Sequence, residues 1–78
     1  MKPTLVTGAN GHLGNNLCRL LVARGEPVRA MIRPSADAAP LAGLDLEIVR
    51  GDILDPAATS RALEGCGRLY HTAAGFLM

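Results

Sequence analysis

Three glycines, Gly8, Gly11 and Gly14, are spaced G-x-x-G-x-x-G between a short apolar run, Leu5-Val6, and a segment with helical spacing. That layout is a strand, a tight turn and a helix start, and its chemistry is anion binding. A helix N-terminus presents unpaired N–H groups and the positive end of the peptide dipole, which suits a pyrophosphate. Gly8 would permit the sharp turn off the strand. Gly11 has no Cβ to hold a phosphate away, and Gly14 would let the helix pack closely on the sheet. Asn10, His12 and Leu13, lying between them, belong to the same candidate cradle. The spacing is not G-x-G-x-x-G, and Asn15-Asn16 stand where a P-loop would need G-K-[ST]. A strand before the glycines and a helix after them is the context that a dinucleotide-binding turn requires.

The next chemistry lies about 20 residues past the glycines, where an acidic residue would accept hydrogen bonds from the adenosine ribose of NAD. Arg33 stands there instead, followed by Pro34 and Ser35. A guanidinium cannot accept a proton from a ribose hydroxyl, but it can clamp a 2′-phosphate. A charge-assisted contact of that kind contributes roughly 1.5–3 kcal/mol, about ten- to a hundredfold in affinity. The sequence therefore predicts NADP over NAD, with Arg33 and Ser35 at the adenosine phosphate. Asp52 could accept from the adenine amine and Ile53 could offer an apolar side to the ring, although Asp52 also suits a purely local turn. Ala73, Ala74 and Gly75 are small enough for the nicotinamide-side ribose to approach the backbone. His12 and His71 lack a second ligand at useful spacing, so no metal site is expected. His71 falls within a strand and reads as structural.

A net charge of +1 with no basic stripe gives nucleic acid no electrostatic footing. Tyr70 and Phe76 are the whole aromatic complement, so no base-stacking platform is expected. No apolar run approaches the roughly 20 residues of a membrane span. Met1-Lys2-Pro3 leads straight into the first strand, which predicts no signal peptide and a cytoplasmic address. Cys18 and Cys66 have no metal-ligand spacing and read as free thiols.

The elements that must position these residues follow from periodicity and punctuation. Leu13, Leu17, Leu20 and Leu21 form an apolar stripe at helical period, predicting a first helix from about Gly11 to Arg24 with its leucines in the core. Gly25 caps it and Pro27 prevents continuation. Residues 28–33 read as a second strand. Ser35 to Ala42 is a weak helix in which Pro40 sits badly, so a short or irregular turn is expected. Residues 46–50 read as a third strand. Asp55 and Pro56 open a third helix that runs to Glu64 and is capped by Gly65. Residues 68–73 form a fourth strand. The pattern β-α-β-α-β-α-β implies an α/β fold with a parallel sheet of strand order 3-2-1-4. Ligands bind such a sheet outside the carboxyl ends of its strands, where all the loops singled out above converge.

These residues resemble a known family. Thr7-Gly8-Ala9-Asn10-Gly11-His12-Leu13-Gly14 is similar to the T-G-x-x-G-x-x-G signature of the extended short-chain dehydrogenase/reductases. Gly51-Asp52-Ile53-Leu54-Asp55 resembles that family's G-D-[IL]-x-D adenine-side motif, and Tyr70-His71-Thr72-Ala73-Ala74 its H-x-A-A segment. Residues 28–34 look most like the NADP-preferring dihydroflavonol-4-reductase-like and sugar epimerase branches, including the epimerase associated with hopanoid synthesis. The resemblance implies the first half of a Rossmann-type fold and an NADP-dependent reductase, or an epimerase or dehydratase using bound cofactor for transient hydride transfer. The family's catalytic Tyr-x-x-x-Lys has no match here, because Ala74 stands four residues after Tyr70. The expectation is thus that residues 1–78 are the NAD(P)-binding amino-terminal part of a larger enzyme, without catalytic residues of its own. Such a part would self-associate through strand 4 or pair with the missing carboxyl-terminal half. Two alternatives stay open: a non-catalytic NADP-sensing module, and a fragment held together by association with no ligand.

Overall fold

The computed structural model describes residues 1–72, so Ala73, Ala74 and Gly75, expected at the nicotinamide-side ribose, lie outside the described residues. The chain order is β1 (Thr4–Thr7), α1 (His12–Ala23), β2 (Val28–Ile32), a single 3-10 turn (Ala39–Leu41), β3 (Glu47–Arg50), α2 (Pro56–Leu63) and β4 (Arg68–His71). The strands form one parallel sheet of order β3-β2-β1-β4. Thr4 pairs with Val28 on one side and Arg68 on the other, which puts β1 at the centre. All four residues of β1 are buried, and successive side chains serve opposite faces.

Val6, Ala30 and Ile32 meet α1 and the 3-10 turn through Cys18, Leu21 and Leu41 on one face. Leu5 and Met31 meet Ala58 and Ala62 of α2 on the other, with Val49, Ile53 and Cys66 at its margin. Complete burial of a side chain such as Leu5 stabilises by about 1.5–3 kcal/mol. The α2 face is built largely of alanine and gains less per residue.

One local expectation changes. The inward stripe of α1 is Gly14, Cys18 and Leu21, while Leu13 and Leu20 are 67% and 49% exposed. Gly14 has to face the turn before the helix, and that contact fixes the helix's rotation. Positions four and seven residues further on then point inward, and the leucine stripe that begins one residue earlier turns partly to solvent. The short turn expected around Pro40 is the 3-10 turn Ala39–Leu41, because Pro40 cannot continue a ladder. Asp37 Oδ1 accepts from the Ala39 amide at 2.9 Å, and Leu41 is buried against the α1 face.

The third helix has the predicted start: the Asp55 carboxylate accepts from the Ala57 amide at 3.1 Å and Pro56 occupies the first turn. Its end is held from a distance. Arg29 on β2 donates through Nη1 to the Ala62 and Glu64 carbonyls at 2.7 and 2.6 Å, and through Nε to Glu47 on β3 at 2.8 Å. The hydrogen bond to Glu47 raises the guanidinium's pKa against the opposing effect of desolvation.

Candidate functional site

β1 delivers the chain into the glycine turn, and Gly8 takes φ 62°, a left-handed conformation that side chains rarely adopt. The turn closes with the Gly11 amide donating to the Gly8 carbonyl at 3.0 Å, and the Ala9 amide donating to Met31 of β2 at 3.3 Å. Helix α1 starts immediately, with Gly11 as an N-cap that offers no side-chain acceptor. The first helical bond runs from the Asn15 amide to the Gly11 carbonyl at 2.9 Å. Among the described residues, the amides of His12, Leu13 and Gly14 meet no acceptor. They are three aligned donors at the positive end of the helix.

Gly14 is required for this geometry. A Cβ there would overlap the Gly8 carbonyl oxygen and stand 2.8 Å from Ala9 Cα and Gly8 C. The close approach is to the turn itself, at the end of β1, rather than to the body of the sheet. At Gly11 an added Cβ would meet the Gly8 oxygen at 3.3 Å, a tight but less severe contact.

A cavity of about 660 Å³ opens over this turn at the carboxyl ends of the strands, within the range of small-molecule and cofactor sites. It collects Gly8, Asn10, Gly11, His12, Leu13 and Gly14 from the turn, Arg33 from the end of β2 and Ile53 from the loop after β3. No carboxylate lines it among the described residues, and Arg33 stands exposed at its rim. Ser35 and Asp52 are not in the lining. The Asp52 carboxylate instead accepts from the Leu54 amide at 2.9 Å, which is the local turn weighed above.

Six residues of the lining were not among the expected site residues: Thr7, Met31, Ile32, Gly51, His71 and Thr72. Gly51 had a signal in the Gly-Asp dipeptide. An added Cβ there would lie 3.0 Å from the Ala58 Cβ and 3.1 Å from Met31 Cε, so the glycine lets α2 sit close beneath the cavity. His71 does have a structural partner, Thr7 Oγ1, hydrogen-bonded to its Nδ1 at 2.8 Å, and it borders the cavity as well. The Thr72 hydroxyl donates to the Thr7 carbonyl, which fastens the end of β4 to β1 beneath the opening.

A parallel sheet of order 3-2-1-4 whose central strand runs through a glycine turn into a helix start defines a Rossmann-type dinucleotide fold. The chain belongs to the NAD(P)H-binding family, whose model matches residues 8–76. Its relatives are of the extended short-chain dehydrogenase/reductase type. It is 61% identical over 71 residues to sterol demethylase protein B of Methylococcus capsulatus, across 91% of this chain and 22% of that protein. Among solved structures it superposes on a nucleoside-diphosphate-sugar epimerase from Pseudomonas aeruginosa with TM-score 0.84 and 32% identity, over 91% of this chain and 24% of the other. Vestitone reductase from alfalfa superposes with TM-score 0.81 and 30% identity, over 95% of this chain and 26% of the other. The chain spans about a fifth of the length of the curated relatives it matches. No helix of the described residues is long and apolar enough to cross a membrane.

Proposed function

We propose that this chain is the NADP(H)-binding part of an oxidoreductase, or of a nucleotide-sugar epimerase or dehydratase, of the extended short-chain type. The observation that carries the reading is the set of three amides, His12 to Gly14, that meet no acceptor among the described residues and face an open cavity across a turn with no room for a Cβ. Those amides would hold the pyrophosphate, with Gly8 and Gly11 keeping the backbone bare where the oxygens approach. Asn10 and Leu13 would flank it, and Ile53 would lie along the adenine. Arg33 supports NADP over NAD: it is the arginine of a lining without carboxylates, and it follows the last residue of β2. Ser35 would add a hydroxyl and Asp52 a contact to the adenine amine if bound nucleotide draws their turns inward. Ala73, Ala74 and Gly75 would border the nicotinamide ribose.

When bound, the nicotinamide gives or takes hydride; the proton that accompanies it would come from a Tyr-x-x-x-Lys pair elsewhere in the parent enzyme. The relatives named above differ in substrate while sharing this segment, which supports assigning it to cofactor binding and the substrate to other parts of the protein. On β4 all four residues are exposed, and Leu69 and Tyr70 are 47% and 38% accessible. That edge would be covered by the remaining carboxyl-terminal portion or by a second copy of this chain.

Titration of the chain with NADPH and NADH tests the reading. NADPH should bind about ten- to a hundredfold tighter, and Arg33→Asp should abolish or invert the difference. An unchanged ratio would remove Arg33 from the site, and failure to bind either nucleotide would remove the site itself.

A further inference from the structure

We infer that Arg50, the last residue of β3, is a positioning residue for nucleotide choice, holding the turn that carries Arg33; the inference rests on the NADP reading above. Arg33-Pro34-Ser35-Ala36 forms a turn closed by the Ala36 amide donating to the Arg33 carbonyl at 3.0 Å. Three carbonyls of this turn converge on one nitrogen. Arg50 Nη1 donates to Ala36 at 2.8 Å, to Pro34 at 3.1 Å and to Arg33 at 3.3 Å. Pro34 supplies no N–H, so the turn has few internal donors to replace them.

The placement is firm at its base. Arg50 sits opposite Ile32 in the β2–β3 register, and the next amide, Gly51, donates to the Ile32 carbonyl at 2.9 Å. The Arg33 side chain has no hydrogen-bond partner among the described residues, so its aim depends on where the turn is held. The three carbonyl oxygens also carry partial negative charge beside the place proposed for a 2′-phosphate. Covered by a guanidinium, they do not repel it.

The contact separates two halves of the ligand. The amides of His12 to Gly14 belong to α1, and Arg50 makes no hydrogen bond to that helix or to the glycine turn. Loss of Arg50 should therefore weaken recognition of the 2′-phosphate while leaving the pyrophosphate grip in place. A general structural role would weaken both alike.

The test compares wild type, Arg50→Met, Arg50→Lys and Arg33→Asp by titration with NADPH, NADH, 2′,5′-ADP and 5′-AMP. Arg50→Met should lower the NADPH-to-NADH affinity ratio about five- to twentyfold, the effect of roughly one charge-assisted contact, with NADH affinity within about twofold of wild type. The ratio for 2′,5′-ADP against 5′-AMP should fall in step. Arg50→Lys, which keeps a charge and donors, should retain most of the preference. Parallel loss of NADPH and NADH affinity would overturn the inference, as would an unchanged ratio in Arg50→Met alongside a collapsed ratio in Arg33→Asp. If wild type shows no preference and Arg33→Asp changes nothing, the NADP reading is what fails, and this inference falls with it. Should circular dichroism show Arg50→Met unfolded, Arg50→Gln carries the same comparison, with Arg50→Lys still the variant expected to retain the preference.

Discussion

Replacing Gly14 with alanine sets two known effects against each other. On helix propensity alone, alanine should stabilise an interior helical position by about 0.8–1.0 kcal/mol relative to glycine. At this position the new Cβ has no space: it overlaps the Gly8 carbonyl oxygen and lies 2.8 Å from two further backbone atoms. Backbone cannot rotate away as a flexible side chain can, so either α1 lifts or the turn opens. Overpacking of a tight contact costs about 1–3 kcal/mol, sometimes more, and here it acts on main chain, toward the upper end. The net expectation is destabilisation of about 1–2 kcal/mol, opposite in sign to the propensity rule. Lifting α1 would also displace the amides of His12, Leu13 and Gly14 together, and loss of one charge-assisted contact already costs about tenfold in affinity. Gly11→Ala, with its closest contact at 3.3 Å, should cost less stability. Urea unfolding followed by circular dichroism reads the first effect, and nucleotide titration the second. A Gly14→Ala chain as stable as wild type and equally tight for nucleotide would refute the claim that this close approach builds the site.

Two further perturbations test the frame around it. Arg29→Met removes the donor shared by the Ala62 and Glu64 carbonyls and the ion pair to Glu47, and should destabilise by about 1.5–3 kcal/mol, read by urea unfolding. A loss below about 0.5 kcal/mol would mean that the end of α2 is held by something else. Burial pushes the Cys18 thiol up to about 11 from an ordinary value of 9.0, so its contribution to stability is complete below about pH 9 and drains away as pH rises through about 11. The loss should reach about 2–3 kcal/mol, seen as a falling urea midpoint that is largely absent in Cys18→Ala. Cys66, half-buried, should alkylate under native conditions before Cys18, which is fully buried.

The legible parts of this fold were those governed by neighbours in sequence. Gly8 to Gly14, Gly25 before Pro27, and Asp55-Pro56 each announce a turn or helix end through local backbone chemistry, and each stands where it was expected. The strand order followed from alternating elements and handed crossovers. What the sequence hid was decided by distant contacts. The rotation of α1 depends on Gly14 meeting Gly8 and Ala9, which no hydrophobic periodicity records. Arg29 closes a helix more than 30 residues away, and Arg50 gathers carbonyls 14–17 residues before it. Arginines in strands carry no mark of such work. Asp52 was ambiguous for a different reason, since a carboxylate two residues before an amide suits a local turn and a ligand equally well.

The burial of β1 on both faces and along both edges has a consequence for how a ligand would be felt by the whole molecule. A nucleotide held by the start of α1 would be tethered, through the short turn Gly8–Gly11, to the central and fully buried strand of the sheet rather than to a peripheral loop. Pulling the turn apart would then mean tearing out the middle of the structure, so ligand release by local fraying is disfavoured. Occupancy would count in full toward global stability, about 2.7 kcal/mol at a hundredfold excess over Kd. For a chain this small, the nucleotide would act as an additional piece of its interior.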